Sequence, residues 1–195
     1  MTLWNEDAFI GGHPALDFVN TVEDQDKRRD SSRISDWASF LGWAQVSSVF
    51  SEEQMNVLEN EIQQADISTL LTNIHELRET AYAALNCIVS GENKTGVALQ
   101  KLEDGIRTAI NNSSLKLAEN NYIWVPNMAK PSWVIDVLTL SIESLLRSED
   151  ITKLKECGRC SWMFLNRGRG RGRRWCNMGT CGNRAKSVSF RNRKQ

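Results

Sequence analysis

The chain has 195 residues, an apolar fraction of 41%, seven tryptophans and a formal net charge of zero. That composition excludes a disordered chain, and with no run of about 18 apolar residues a helical membrane span is excluded too. The start, "MTLWNEDAFIGG", lacks the basic-then-apolar order of a signal peptide, so a cytoplasmic protein with reduced thiols is expected.

The zero net charge hides an asymmetry. Residues 151–195 carry 13 Lys or Arg against one acid, Glu156, a balance of +12, and residues 1–150 carry −12. A split of this kind points to a polyanion-seeking tail on an acidic body. The simpler alternative is that the two parts neutralise each other. The expected organisation is a mainly helical domain over 1–150 and a small basic module over 151–195.

Along the chain, "GGHPALDFVNT" comes first. Pro14 pushes His13 out of the helical region and marks a turn. Leu16, Phe18 and Val19 face a core, while Asp17, Asn20 and Thr21 form a polar patch. With His13, these three are the candidate ligand site for an effector, since they set donors and acceptors beside an apolar wall. The competing reading is that they cap a helix and tie loops together. After the charged loop "EDQDKRRDSSR", Ser35 reads as the N-cap of a helix in "DWASFLGWAQV". Ser51 opens the next helix, 52–65, with an S-E-E-Q capping box.

Helical spacing continues over 69–89, with Gly91 as C-cap, and over about 95–110. "SLKLAENNYIWVP" reads as a β-hairpin turning at Asn120–Asn121. Pro131 and Ser132 then start "WVIDVLTLSIESLL", a helix apolar nearly all round and so buried. Cys87 and His75 fall within a helix and read as structural. No nucleophile–base pair, P-loop or dinucleotide fingerprint stands out, so no enzyme is expected.

The remaining four cysteines are spaced C-x2-C (Cys157, Cys160), fifteen residues, then C-x4-C (Cys176, Cys181). Two close thiol pairs can grip a tetrahedral Zn2+, two corners each, and four thiolates leave no open position for catalysis. One structural zinc would supply the stability that this short, core-poor segment cannot supply itself. After Cys181 a helix runs to about Lys194, with Cys181, Ala185 and Val188 on the stripe facing the knuckle. The fold class expected is a mainly α N-terminal domain with a small β-hairpin. A treble-clef or ribbon-like zinc module ending in a helix follows it.

"RRWCNMGTCGNRAK" resembles the signature of the CGNR zinc-finger family, through Trp175, Met178, Cys181–Arg184 and Lys186. "LDFVNT", Leu16–Thr21, with Trp37 downstream, resembles the ABATE domain found upstream of it. The resemblance implies a bacterial, stress-linked transcriptional regulator, and it favours DNA over RNA. The chain departs from the family at Asn166–Gly170, where an acid- and serine-bearing run is replaced by glycine and arginine, implying a looser, more cationic loop.

The candidate nucleic-acid contacts are the loop residues Arg167, Arg169, Arg171, Arg173 and Arg174, with Asn183, Arg184, Lys186, Phe190, Arg191, Arg193 and Lys194 of the helix. Arginine forks bond phosphate oxygens in pairs, and an outward phenylalanine can stack on a base. An Arg-Gly tract equally suits RNA, and a basic module can also dock on an acidic protein. A small-molecule effector and a homodimer formed by the acidic domain are the further expected partners.

Overall fold

The computed structural model describes residues 4–91, 96–118, 121–168 and 172–192. Arg169, Arg171, Arg193, Lys194 and Asn120 therefore lie outside the described residues. The architecture is mostly helical with three two-stranded antiparallel sheets.

The helix α1 (Pro14–Val19) starts where expected. His13 is extended and its Nδ1 accepts the Ala15 N–H at 3.2 Å, while Pro14 takes the first position, where no N–H is needed. Gly11 is forced by space, because a Cβ there would lie 2.6 Å from the Cβ of Leu16. After α1 come β1 (Val22–Glu23) and β2 (Ser31–Ser32), joined by the charged loop. Lys27 and Arg29 in that loop hold positive φ, of 68° and 57°.

The helix α2 (Trp37–Ser47) is capped by Asp36 rather than Ser35. Asp36 Oδ1 accepts the Ser39 N–H at 2.7 Å and Ser39 Oγ accepts the Asp36 N–H at 3.1 Å, a reciprocal pair Ser35 is one residue too early to form. The Ser51–Gln54 box opens α3 (Glu52–Asn60) as predicted, though the helix ends five residues short of 65. The helix α4 (Ile67–Ser90) stops at Gly91, whose φ of +67° ends the helix in the left-handed region. The helix α5 (Val97–Asn111) lies against both α4 and α6 (Trp133–Arg147).

The hairpin β3 (Ser113–Ala118) and β4 (Asn121–Pro126) sits between α5 and α6 in the chain, with Leu115 opposite Trp124 and Leu117 opposite Tyr122. Asn121 already pairs with Ala118, so it belongs to the strand.

The core gathers on α1, α2, α4 and α6. Phe18, Trp43, Phe40, Phe50 and Trp133 form an aromatic run with ring centroids 5.6–6.2 Å apart. As its all-round apolarity predicts, α6 is deeply buried, with Val134, Ile142 and Leu145 fully covered. The same core takes in Leu154, Met163 and Leu165 from the last hairpin, β5 (Leu154–Glu156) and β6 (Met163–Leu165). The final helix, α7 (Asn183–Asn192), follows a π-helical turn at Met178–Gly182. The C-terminal region ends in a helix, as expected. No helix among the described residues is long and apolar enough to cross a membrane.

Candidate metal centre and nucleic-acid interface

The β5–β6 hairpin presents the first thiol pair in its turn. The Cys157 N–H bonds the Trp162 carbonyl at 2.8 Å, and the Gly158 N–H bonds the Arg174 carbonyl at 3.0 Å. Gly158 must be glycine, since a Cβ would come within 2.9 Å of the Trp175 ring. The second pair flanks a knuckle shaped by Asn177, whose Oδ1 accepts the Gly179 and Thr180 N–H groups at 2.7 and 3.3 Å.

These two turns bring the Sγ atoms of Cys157, Cys160, Cys176 and Cys181 within 4.8 Å of one another, all buried. Cys160 Sγ lies 3.6 Å from that of Cys176 and 3.7 Å from that of Cys181. Tetrahedral Zn–S bonds of about 2.3 Å place sulfurs about 3.8 Å apart, so the cluster has the size that zinc needs. The Cys176 N–H points to Cys157 Sγ at 3.3 Å, a contact that favours thiolate. Crowding couples the thiols. Hydrogen bonds with Cys157 and Cys176 push the Cys160 thiol up, whereas those from Cys160 and Cys176 pull Cys157 down. A divalent cation lets all four ionise together. The residues fit one structural zinc, held by four thiolates, with Phe164, Trp162, Trp175 and Ile10 packed around it.

The "LDFVNT" residues hold this hairpin in place. Asn20 is 1% exposed, and its carboxamide donates to the Met163 carbonyl and accepts the Met163 N–H, both at 2.8 Å. Next to it, the Leu165 N–H bonds the Gly11 carbonyl at 2.8 Å, and Trp162 Nε1 donates to the Val22 carbonyl at 2.8 Å. Asp24 accepts the Ser161 N–H at 2.9 Å, and Arg29 reaches Ser161 Oγ at 3.0 Å while stacking over Tyr82. Glu156, the lone acid of the basic segment, pairs with Lys27 and takes the Tyr82 hydroxyl at 2.7 Å.

The other three candidates of the ligand patch also have partners. Asp17 accepts the Gly11 N–H at 2.8 Å, and burial raises its carboxyl to about 6. Thr21 Oγ1 donates to the Phe18 carbonyl at 2.7 Å. His13 caps α1, and burial, with Arg167 nearby, lowers its pKa. These bonds tie α1 to its flanking loops and to β6.

The arginines divide into two groups. Arg173 is exposed but bound back onto the chain. It donates to the carbonyls of Ile10 at 2.6 Å and Cys176 at 3.3 Å, and its guanidinium lies 4.0 Å over the Phe164 ring, where it offsets thiolate charge. Arg167 pairs with Asp150 at 2.6 Å. Asn166 Oδ1 accepts the Arg173 N–H at 3.1 Å, and its side chain fills the space beside Gly172, φ +62°.

The second group faces outward. Arg174 stacks on Trp175 at 4.7 Å, and Arg184, Lys186, Phe190 and Arg191 are exposed on α7. Asn183 is exposed too, but its Nδ2 bonds the Gly179 carbonyl at 3.1 Å and so closes the knuckle. Arg159, between the first two cysteines, sits half-buried beside this group, although charge runs in the sequence do not single it out. Among the described residues, Arg159, Arg174, Arg184, Lys186 and Arg191 pair with no carboxylate.

A thiolate-clamped finger with a cationic outer face, packed against a helical body, defines a zinc-finger protein. Comparison with family models gives two matches. Residues 12–113 match the ABATE model, described as "Putative stress-induced transcription regulator", and residues 153–194 match the CGNR zinc finger. The chain belongs to the ABATE family and carries a CGNR zinc finger. A comparison with curated proteins finds no match.

Proposed function

We propose that the protein is a DNA-binding transcriptional regulator whose finger contacts the phosphate backbone. The supporting observation is the outer face of the finger, where Arg159, Arg174, Arg184, Lys186 and Arg191 stand without acid partners while the body is strongly acidic. Bound zinc would supply no reaction; it fixes the hairpin against the knuckle. The protein residues do the rest. Asn20 and Asp24 orient the hairpin, Asn177 and Asn183 shape the start of α7, and the outward cations meet phosphates and release counterions.

In this proposal residues 151–195 bind nucleic acid and 1–150 sense an effector or dimerise, although one hydrophobic core runs across the boundary. The exposed hairpin side chains Leu115, Leu117 and Tyr122 support dimerisation as one role of the acidic domain. Reduced thiols suit a cytoplasmic setting.

The test is a mobility-shift assay of zinc-loaded protein on random duplex DNA and on RNA, repeated after chelation. Preference for DNA, lost with the metal, supports the proposal. Equal or stronger retention on RNA reassigns the finger to RNA. Retention on neither, with capture by an acidic protein instead, overturns a nucleic-acid role.

A further inference from the structure

Between the first thiol pair and α7 lies a concavity of about 330 Å3, at the small end of ligand cavities. Arg159 comes to it from the Cys157–Cys160 turn, Thr180 from the knuckle, and Arg184, Ser187 and Arg191 from one face of α7. Among the described residues no carboxylate lines it. Arg159 Nε is buried and, among the described residues, has no acceptor. A buried donor on a charged group without an acceptor is costly, and three neighbouring guanidinium groups repel one another. An anion in the crease relieves that repulsion.

We propose that this crease seats a single phosphate group, held by the forks of Arg159, Arg184 and Arg191. The inference rests on the nucleic-acid proposal above and assigns its anchoring contact to one backbone phosphodiester. Phosphate suits the site better than a carboxylate because several oxygens can each take a different fork, whereas a carboxylate is satisfied by one. The spacing of Arg184 and Arg191, seven residues apart, stacks them on one helix face two turns apart. Arg191 Nε leans on the Ser187 carbonyl at 3.5 Å, and its other nitrogens have no described partner. Arg159 and Arg184 lie 25 residues apart in the chain and are brought together by the thiol cluster, so the seat depends on the metal.

The experiment uses the full zinc-loaded chain and two probes. Inorganic phosphate is titrated while the Arg159 Nε–Hε signal is followed by NMR. Duplex DNA is titrated by fluorescence anisotropy at several salt concentrations. The expected results are a saturable shift of the Arg159 signal that chloride at equal ionic strength does not reproduce, and about tenfold weaker DNA binding for Arg159→Gln. The log–log salt slope of that variant should be shallower by about 0.9, whatever the DNA sequence. Arg159→Lys, charged but without the fork, should recover the slope and only part of the affinity.

If Arg159→Gln loses zinc stoichiometry, the exposed pair Arg184→Gln/Arg191→Gln gives the same readout, with the same slope change of about 0.9. Wild-type DNA binding with unchanged slopes and affinities in these variants overturns the seat and leaves the nucleic-acid proposal standing. Saturable phosphate binding by a protein that ignores DNA supports the seat and overturns that proposal instead. Displacement of phosphate by polyglutamate at matched charge overturns the assignment to phosphate.

Discussion

Asn20→Ala tests how the finger is fixed to the helical domain. The substitution removes both hydrogen bonds to Met163 and leaves a buried N–H and a buried carbonyl unpaired. Each orphaned group costs about 1–3 kcal/mol, and a water entering the space would recover part of that, so about 2–4 kcal/mol is expected in total. For a chain of this size that lowers the melting midpoint by about 5–12 °C. Because Met163 belongs to the hairpin carrying Cys157 and Cys160, zinc transfer to a chelator should also accelerate. Asn20→Asp keeps the acceptor and loses the donor, so it should be at least as damaging at neutral pH. The assay is urea unfolding of zinc-loaded protein by tryptophan fluorescence, with chelator kinetics alongside. A midpoint within about 0.5 kcal/mol of wild type, with zinc release unchanged, would refute the docking role of Asn20.

Asp17 makes a pH prediction. Its carboxyl titrates at about 6 in the folded chain against an ordinary 3.8, so the folded state holds a proton that the unfolded state gives up. That stabilising term is complete below the unfolded value and is lost as pH rises through 6. The stability difference between wild type and Asp17→Asn, from urea midpoints, should therefore fall between about pH 4 and 6.5; a constant difference would contradict it. Cys181→Ser should drop the zinc content well below one per chain and abolish DNA binding, as elemental analysis and anisotropy would show. Arg173→Ala should cost about 1–3 kcal/mol of stability because its contacts are internal, whereas Arg174→Ala should leave thermal stability unchanged and weaken DNA binding.

Local signals were legible in the chain. The Ser51 box, Gly91 and the β3–β4 hairpin follow from short-range chemistry, and the thiol spacing announced the metal site before any fold was known. Long-range choices were not. Asn20 and Met163 stand 143 residues apart, and no periodicity joins them. Charge counting placed Arg167 and Arg173 with the outward arginines, since a count cannot show that Asp150 or the Ile10 carbonyl is waiting nearby. It also passed over Arg159, whose setting between two thiols was the available clue.

The helical stripe of Cys181, Ala185 and Val188 assumed one continuous helix. The π-helical turn, closed by Gly182 N–H to the Asn177 carbonyl at 3.1 Å, resets the phase, and Val188 emerges 40% exposed. The bond from the Arg173 N–H to Asn166 Oδ1 joins residues seven apart, which no short-range pattern announces.

The most direct measurement is the salt dependence of DNA affinity for the zinc-loaded wild-type chain, by anisotropy between about 50 and 200 mM salt. If Arg174 and Lys186 each reach a phosphate and Arg159, Arg184 and Arg191 share one, the log–log slope is about −2.7. A flat line, or no binding at the lowest salt, would contradict a finger built to hold a polyanion.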